Sequence, residues 1–350
     1  MDLPLSPRAL VTRPGAAMDL AAHGIAWVGV RRVPSDAGTL AVGQAAIEYF
    51  IPRRLGSEVP IVLIHGGGQG ADFMVRVDGG PGWLHHFVAA GRAVYVVDLP
   101  GHGRSPGHAL QVGDTAPPMS FEMAEAMFVA PERSDRAWPA AASHTAWPEG
   151  DEATNGFVAS GGPMRLDVAA GQRDGAAAIA HLLDRIGPAV LVTHSASGPV
   201  GWLAADHRPS AVRGIVALEP LGPPGDGMGP FALPWGVTTA PITYAPPAES
   251  ADELDFVPNE DTGAGKRQAA PARALVNLQA IPICVISAEA SWSEAADRGT
   301  VAFLAQAGCR AEHLRLGDHA VRGNGHLAMI EANNADSAAL VLGWLAENAS

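Results

Sequence analysis

Five short runs in this chain contain almost no polar residue: Ile61–Ile64, Ala93–Val97, Ala189–Thr193, Gly214–Leu218 and Ile283–Ser287. Runs this short are too brief for stable helices, and a strand with one face in water would alternate polar and apolar positions. Continuous apolarity therefore fits strands covered on both faces, as in parallel sheets. Ile25–Val33, Ala46–Ile51 and Ala311–Leu316 complete the set of strand candidates. Helical segments fall at Asp174–Ile186, Val200–Ala205, Ser293–Ala307 and Asn334–Glu347. Strand–helix alternation predicts an α/β fold with a mostly parallel central sheet flanked by helices. No helix separates the first two strands, so they are expected to pair antiparallel at one edge.

Two segments break this rhythm. Ser105–Leu166 has no clean period but carries Phe121, Met123, Met127, Phe128, Trp138 and Trp147, and Pro220–Ala270 is rich in Pro and Gly with Phe231, Trp235 and Tyr244. Long ordered loops in compact domains usually serve binding. The chain, 1–350, is accordingly read as a single domain with two lid insertions, 105–166 and 220–270. Phe128, Trp138, Trp147 and Trp235 are the expected lining of an apolar substrate pocket.

Composition narrows the partners. The net charge is −13 and no Lys/Arg-rich run is present, which argues against nucleic acid or an anionic membrane surface. No stretch reaches the roughly 20 apolar residues of a membrane span. The N-terminal residues 1–20 place prolines and charges where a signal peptide needs an apolar run. A cytoplasmic location is expected, or a secreted or periplasmic one if an upstream signal was removed. Cys284 and Cys309 form no C-x-x-C pair and are expected to be two separate buried thiols. No clustered metal-ligand set is apparent, and no cofactor or metal is expected. Association as a homodimer is left open.

The chemistry gathers at three strand ends. AVLVT runs into Thr193-His194-Ser195-Ala196-Ser197-Gly198 and then a helical run, a strand–turn–helix with serine at the tip. IVLI runs into His65-Gly66-Gly67-Gly68-Gln69-Gly70, where glycines let backbone N–H groups approach a developing oxyanion. The spacing is neither G-x-G-x-x-G nor a loop ending in G-K-[ST], so a phosphate cradle fits poorly. AVYVV runs into Asp98-Leu99-Pro100-Gly101-His102-Gly103-Arg104-Ser105.

The succession HGGG, DLPGHGRS, THSASG and a late Gly325-His326 resembles the α/β-hydrolase superfamily over nearly the whole chain. The resemblance implies an α/β-hydrolase fold, with Ser195 as nucleophile and with the backbone N–H groups of Ala196 and of Gly67 or Gly68 as the oxyanion hole. The serine turn departs from G-x-S-x-G, because Thr193 and Ser197 replace both glycines. The resemblance makes Asp98 and His102 organisers of their loop and His326 the base, with His319 as rival. His194 is read as structural. The usual acid is an aspartate after the seventh strand, but Ser291 stands there. Glu219, in Ala217-Leu218-Glu219-Pro220 after the sixth strand, is therefore preferred, with Glu289 as rival. HGGGQ, HTAW, ALEP-x-GPP, the EAS turn and GNGH are similar to bacterial esterases whose acid is a glutamate after strand six. Some of those carry adjacent cysteines in the oxyanion loop, where this chain has Gly68 and Gln69.

These readings imply a serine hydrolase that cleaves carboxylic esters by a Ser195–His326–Glu219 triad, with a small-molecule ester or lactone as substrate. A lactonase needs the same triad and a different pocket. A non-catalytic small-molecule receptor on the same fold is the alternative from another class.

Overall fold

The computed structural model describes residues 6, 17–70, 75–76, 78–227 and 229–349. The N-terminal stretch read above for an export signal lies largely outside them. The strands of the large sheet, numbered alone, are β1 (Leu20–Val28), β2 (Ala45–Pro52), β3 (Ile61–Ile64), β4 (Val94–Asp98), β5 (Ala189–His194), β6 (Val212–Leu218), β7 (Pro282–Ser287) and β8 (Arg310–Arg315). Their order is β1-β2-β4-β3-β5-β6-β7-β8. β2 is antiparallel to both neighbours, and every other pairing is parallel. This is the α/β-hydrolase fold.

Alternate residues of the inner strands enter two cores. Val62, Ile64, Leu191, Ile215, Ala217, Ile283 and Val285 face one cluster; Ile61, Leu63, Val190, Val192, Val216, Leu218, Cys284 and Ile286 face the other. Because side chains alternate across a strand, a run apolar at every position needs helices on both faces. The first cluster is closed by α2 (Val168–Ile186), α3 (Gly198–His207) and α4 (Glu294–Gln306), through residues such as Leu183, Trp202 and Phe303. The second is closed by α1 (Trp83–Ala89) and α5 (Asn334–Asn348), through Trp83, Phe87, Val341 and Leu345. The Trp83 indole N–H reaches the Asn334 carbonyl at 3.1 Å and Ser337 Oγ at 3.0 Å, joining these two helices. Cys284 and Cys309 belong to different clusters and are both free.

The expected first strand, Ile25–Val33, is two elements. β1 ends at Val28, and Arg31–Ser35 pairs with Gly38–Val42 in a separate hairpin. Gly29 makes the break: its φ is +72°, and a Cβ there would lie 2.7 Å from the Gly43 carbonyl. Only glycine combines that angle with that approach.

Segment 105–166 is ordered and carries a ten-residue helix, Asp151–Ser160. Segment 220–270 packs largely on the flank of the sheet. The Gln172 side chain of α2 accepts from the Thr239 and Ala240 N–H groups at 2.9 and 3.0 Å, and the Gln306 side chain of α4 accepts from the Gln268 N–H at 2.9 Å.

Candidate active site

Strand register sets the site. Leu218 of β6 is level with His194 of β5 and Ile286 of β7, while Ile64 of β3 is level with Thr193. The next residues, His65, Ser195, Glu219 and Ser287, therefore emerge together at the carboxyl edge of the sheet, where open α/β sheets bind ligands.

Ser195 follows β5 directly with φ +53°, and Glu219 follows β6 with φ +45°. Non-glycine residues in this region carry roughly 1–3 kcal/mol of strain each, which the surrounding structure must offset. The departures from G-x-S-x-G have local compensations. A Cβ on Gly201 would come 2.7 Å from the Thr193 methyl, so glycine one turn into α3 makes room for the bulkier threonine. Ser197 Oγ lies 3.0 Å from the Ile64 carbonyl and 2.9 Å from the His194 carbonyl, which share its one proton, and it accepts the His194 N–H at 3.0 Å. It thereby ties β5 to β3.

His326 Nδ1 lies 2.5 Å from Glu219 Oε2, with the imidazole 8% and the carboxylate 0% exposed. The carboxylate is held from its other side as well. Oε1 accepts the Ala288 N–H at 2.7 Å, and Oε2 accepts the Ser291 hydroxyl at 2.5 Å. Ser291, standing where the resemblance expects an aspartate, thus binds the Glu219 carboxylate at the end of the neighbouring strand. His194 Nε2 donates to the His326 carbonyl at 3.0 Å, locking the histidine loop to the residue before the serine. Burial, then the nearby His326, hold the His194 imidazole well below the usual histidine range, so it acts as a neutral donor. His326 Nε2 is left as the ring nitrogen available to Ser195. Among the described residues no hydrogen bond joins it to the hydroxyl, a contact that commonly tightens only when substrate is bound.

The glycine loop packs on the same turn. A Cβ on Gly67 would lie 3.3 Å from the Ala196 Cβ, and one on Gly66 would lie 2.7 Å from His194 Nδ1. His65 donates from Nδ1 to the Gly66 carbonyl at 2.7 Å, and its Nε2 accepts the Leu99 N–H at 3.0 Å. Burial, then the neighbouring His102, lower its pKa to about 3, keeping it neutral in this role. The Gly68 carbonyl accepts the Gly162 N–H at 2.7 Å, so segment 105–166 is anchored to the loop.

Residues 59–247 match the family described as alpha/beta hydrolase fold. The chain belongs to the alpha/beta hydrolase fold family. A protein of Fungal sp. (strain ATCC 74256), named "Probable secreted lipase phiG", is 37% identical over 318 residues, covering 85% of each chain. A solved structure titled "The Atomic Resolution Structure of a Novel Bacterial Esterase" superposes with a TM-score of 0.70 at 24% identity, over 97% of this chain and 99% of that one. It shares the fold. Among the described residues no helix is long and apolar enough to cross a membrane.

In this hydrolase an aromatic wall stands over His326. The Trp292 ring stacks on the imidazole, 4.5 Å between centroids at 27°, and Phe128 lies 5.9 Å from it. Trp138 packs edge-on against Trp292 at 5.2 Å, and its indole N–H donates to the Ala290 carbonyl at 2.7 Å. Phe128 sits in a π-helical turn, Glu125–Val129, a wide turn frequent at functional sites. Trp147 stands one ring further out, against Phe157 at 5.4 Å. Trp235 is not brought here: its side chain is buried in the core, and its carbonyl accepts the Tyr244 hydroxyl at 2.9 Å. Trp292 escaped sequence reading, because one tryptophan after Ser291 has no pattern that signals a contact with a loop so much later in the chain.

The rival residues have other partners. His319 is exposed in a turn after β8. Glu289 pairs with Arg322 and accepts the Gly323 N–H at 2.9 Å, anchoring the histidine loop. Arg104 donates to Asp98 Oδ2 at 2.6 Å, and a Cβ on Gly103 would lie 2.4 Å from Asp98 Oδ1, so Asp98 organises its loop. Glu331, wholly buried, accepts from the Gly325 N–H at 3.0 Å, Asn324 Nδ2 at 2.7 Å and His144 Nε2 at 2.9 Å. It clamps segment 105–166 onto the loop that carries His326. Glu331→Ala strands three buried donors and is expected to cost about 3–5 kcal/mol. Thermal melts should show a drop of about 4 to 7 °C, and an unchanged melting temperature would deny the clamp.

Proposed function

We propose that this alpha/beta hydrolase is a serine esterase that cleaves carboxylic esters through an acyl-enzyme intermediate. Ser195 is the nucleophile, His326 the general base and acid, and Glu219 the carboxylate that orients the imidazole. The observation that carries the reading is the buried 2.5 Å Glu219–His326 contact beside a serine held at positive φ. The fungal relative named as a lipase supports an ester as substrate.

Ser195 Oγ bonds to the acyl carbon as its proton moves to His326 Nε2, and Glu219 stabilises the imidazolium that forms. The N–H groups of Ala196 and of Gly67 or Gly68 receive the oxyanion. The intermediate collapses by expelling the alcohol, which takes the proton from Nε2. Water then repeats the sequence on the acyl-serine and releases the acid. A lactone, being a cyclic ester, passes through the same steps. We place segment 105–166 as a lid whose Phe128 and Trp138, with Trp292 from the β7 loop, form an apolar wall for the substrate.

The test is turnover of p-nitrophenyl butyrate and of a γ-lactone, together with fluorophosphonate labelling read by mass spectrometry. One adduct on Ser195 and none on Ser195→Ala is expected. Absence of both turnover and adduct returns the site to the ligand-binding alternative. Trp292→Ala removes the indole facing the imidazolium, a cation–π contact of about 0.5–2 kcal/mol. It is expected to lower kcat about three- to thirtyfold, with Trp292→Phe retaining most of it; wild-type kcat in the alanine variant would limit Trp292 to a packing role.

A further inference from the structure

Behind Glu219 lies a second buried carboxyl group that the proposed chemistry does not use. Asp297, in the first turn of α4, is 0% exposed. Its Oδ2 is 2.8 Å from Ser293 Oγ and 2.6 Å from Ser287 Oγ, while Oδ1 is buried with no hydrogen-bond partner among the described residues. Among the described residues no lysine or arginine forms an ion pair with it. Ser293 Oγ lies 3.3 Å from Ser291 Oγ, the hydroxyl that donates to Glu219. On the other side, Ser287 Oγ meets His313 Nε2 at 2.7 Å.

Counting protons gives one self-consistent direction for this chain. Each serine has one proton to donate. That of Ser291 goes to Glu219 Oε2, so Ser291 Oγ is an acceptor towards Ser293, whose N–H and Oγ both lie 3.3 Å from it. If Ser293 donates to Ser291, its 2.8 Å contact with Asp297 needs a proton from Asp297. Ser287 then donates to Asp297 Oδ2 and accepts from His313. Every donor points towards Glu219, and Oδ1 is left as the carbonyl oxygen of a neutral acid. An ionised carboxylate there would be a buried charge with no cation paired to it among the described residues, a costly arrangement.

We propose that Asp297 is a positioning residue: as a neutral carboxylic acid it donates to Ser293, and through Ser293 and Ser291 it fixes the Glu219 carboxylate against His326. Burial first, and then the nearby charge of Glu219, raise the Asp297 carboxyl well above its ordinary range, which agrees with this state. The titratable groups around it are Glu219 at the end of β6, His313 on β8 and Glu294 on α4; Arg298, Arg315 and Asp318 surround His313.

The proposal rests on the triad reading above, and two measurements separate their failures. The first is kcat and KM for p-nitrophenyl butyrate across pH, with Ser195→Ala as the reference for the triad. Ser293→Ala deletes one oxygen of the chain and is expected to lower kcat about tenfold with KM within about twofold. The acidic limb of its kcat/KM profile should move to higher pH, because Glu219, less engaged by Ser291, bears more strongly on His326. Asp297→Leu should lower kcat similarly, and the neutral isostere Asp297→Asn should restore most of it. An Asn variant as impaired as Leu, or a Ser293→Ala enzyme with wild-type kcat and pH profile, overturns the proposal while an inactive Ser195→Ala leaves the triad standing.

The second measurement is independent of catalysis. A folded pKa raised above the unfolded one gives stability that is fully present below the unfolded pKa and is lost as pH rises through the folded pKa. Asp297→Asn should therefore melt increasingly above wild type as pH rises from about 4 to about 7. A melting-temperature difference independent of pH would mean that Asp297 is ionised, and would overturn the proposal.

Discussion

Ser195→Ala is expected to lower kcat towards p-nitrophenyl butyrate by about five to six orders of magnitude while leaving the fold intact. The size follows from how the proposed residues act. Once the attacking oxygen is gone, His326 has no proton to take and Glu219 no imidazolium to stabilise. What remains is binding and the oxyanion donors, which in triad hydrolases still leave about a thousandfold over water. The double variant Ser195→Ala, His326→Ala should therefore be no slower than either single one, because residues acting as a unit are non-additive. The position also makes a statement about stability. Ser195 holds φ +53° at the end of β5, so the backbone there is strained whatever the side chain. Glycine relieves that strain and alanine does not, so Ser195→Gly should melt higher than Ser195→Ala. A Ser195→Ala enzyme retaining more than a few per cent of kcat with an unchanged pH profile would place the nucleophile elsewhere.

The parts of this molecule legible in sequence are those whose physics is local. A run such as IVLI can be buried on both faces only in a covered sheet, and its bounds, Ile61–Ile64, need no tertiary information. The elements that escaped lack a local signature. Helix α1 follows Pro-Gly without a side-chain cap and is only seven residues long, and Asp151–Ser160 carries a glycine in its interior. Both are held by packing of Trp83, Phe87 and Phe157 into the second core. The same limit applies around the site. Glu219 and His326 could be named as candidates because each ends or follows a strand in a recognisable order. Trp235 reads like a pocket aromatic in a Pro/Gly-rich loop, yet that loop folds onto the flank and buries it. Asp297 reads like an ordinary acid in a helix first turn, where the helix dipole favours it. Only the fold places it beneath the loop of Ser291 and Ser293, wholly buried from bulk solvent.

Glu219→Gln is expected to lower kcat about three to four orders of magnitude with little change in melting temperature. The amide oxygen of the new side chain can still accept the Ala288 N–H, which lies 2.7 Å from Oε1 in the wild-type chain. Its NH2 then faces His326 Nδ1 and forces that nitrogen to accept, leaving the proton on Nε2, where the serine needs a base. Glu289→Gln loses an ion pair to Arg322, whose side chain is 66% exposed. Surface pairs of this kind contribute about 0–1 kcal/mol, so activity should stay within about threefold. The reverse result, with Glu289→Gln inactive and Glu219→Gln active, would move the acid to the β7 loop. The acid's role can also be moved on purpose. Ser291 Oγ already touches the oxygen that faces His326, so the two strand ends present side chains to one point. Adding Ser291→Asp to Glu219→Gln delivers a carboxylate to that point from β7, and should restore at least about tenfold in kcat. No gain would mean that the backbone at Glu219, held at φ +45°, is the only position from which a carboxylate reaches Nδ1 in line.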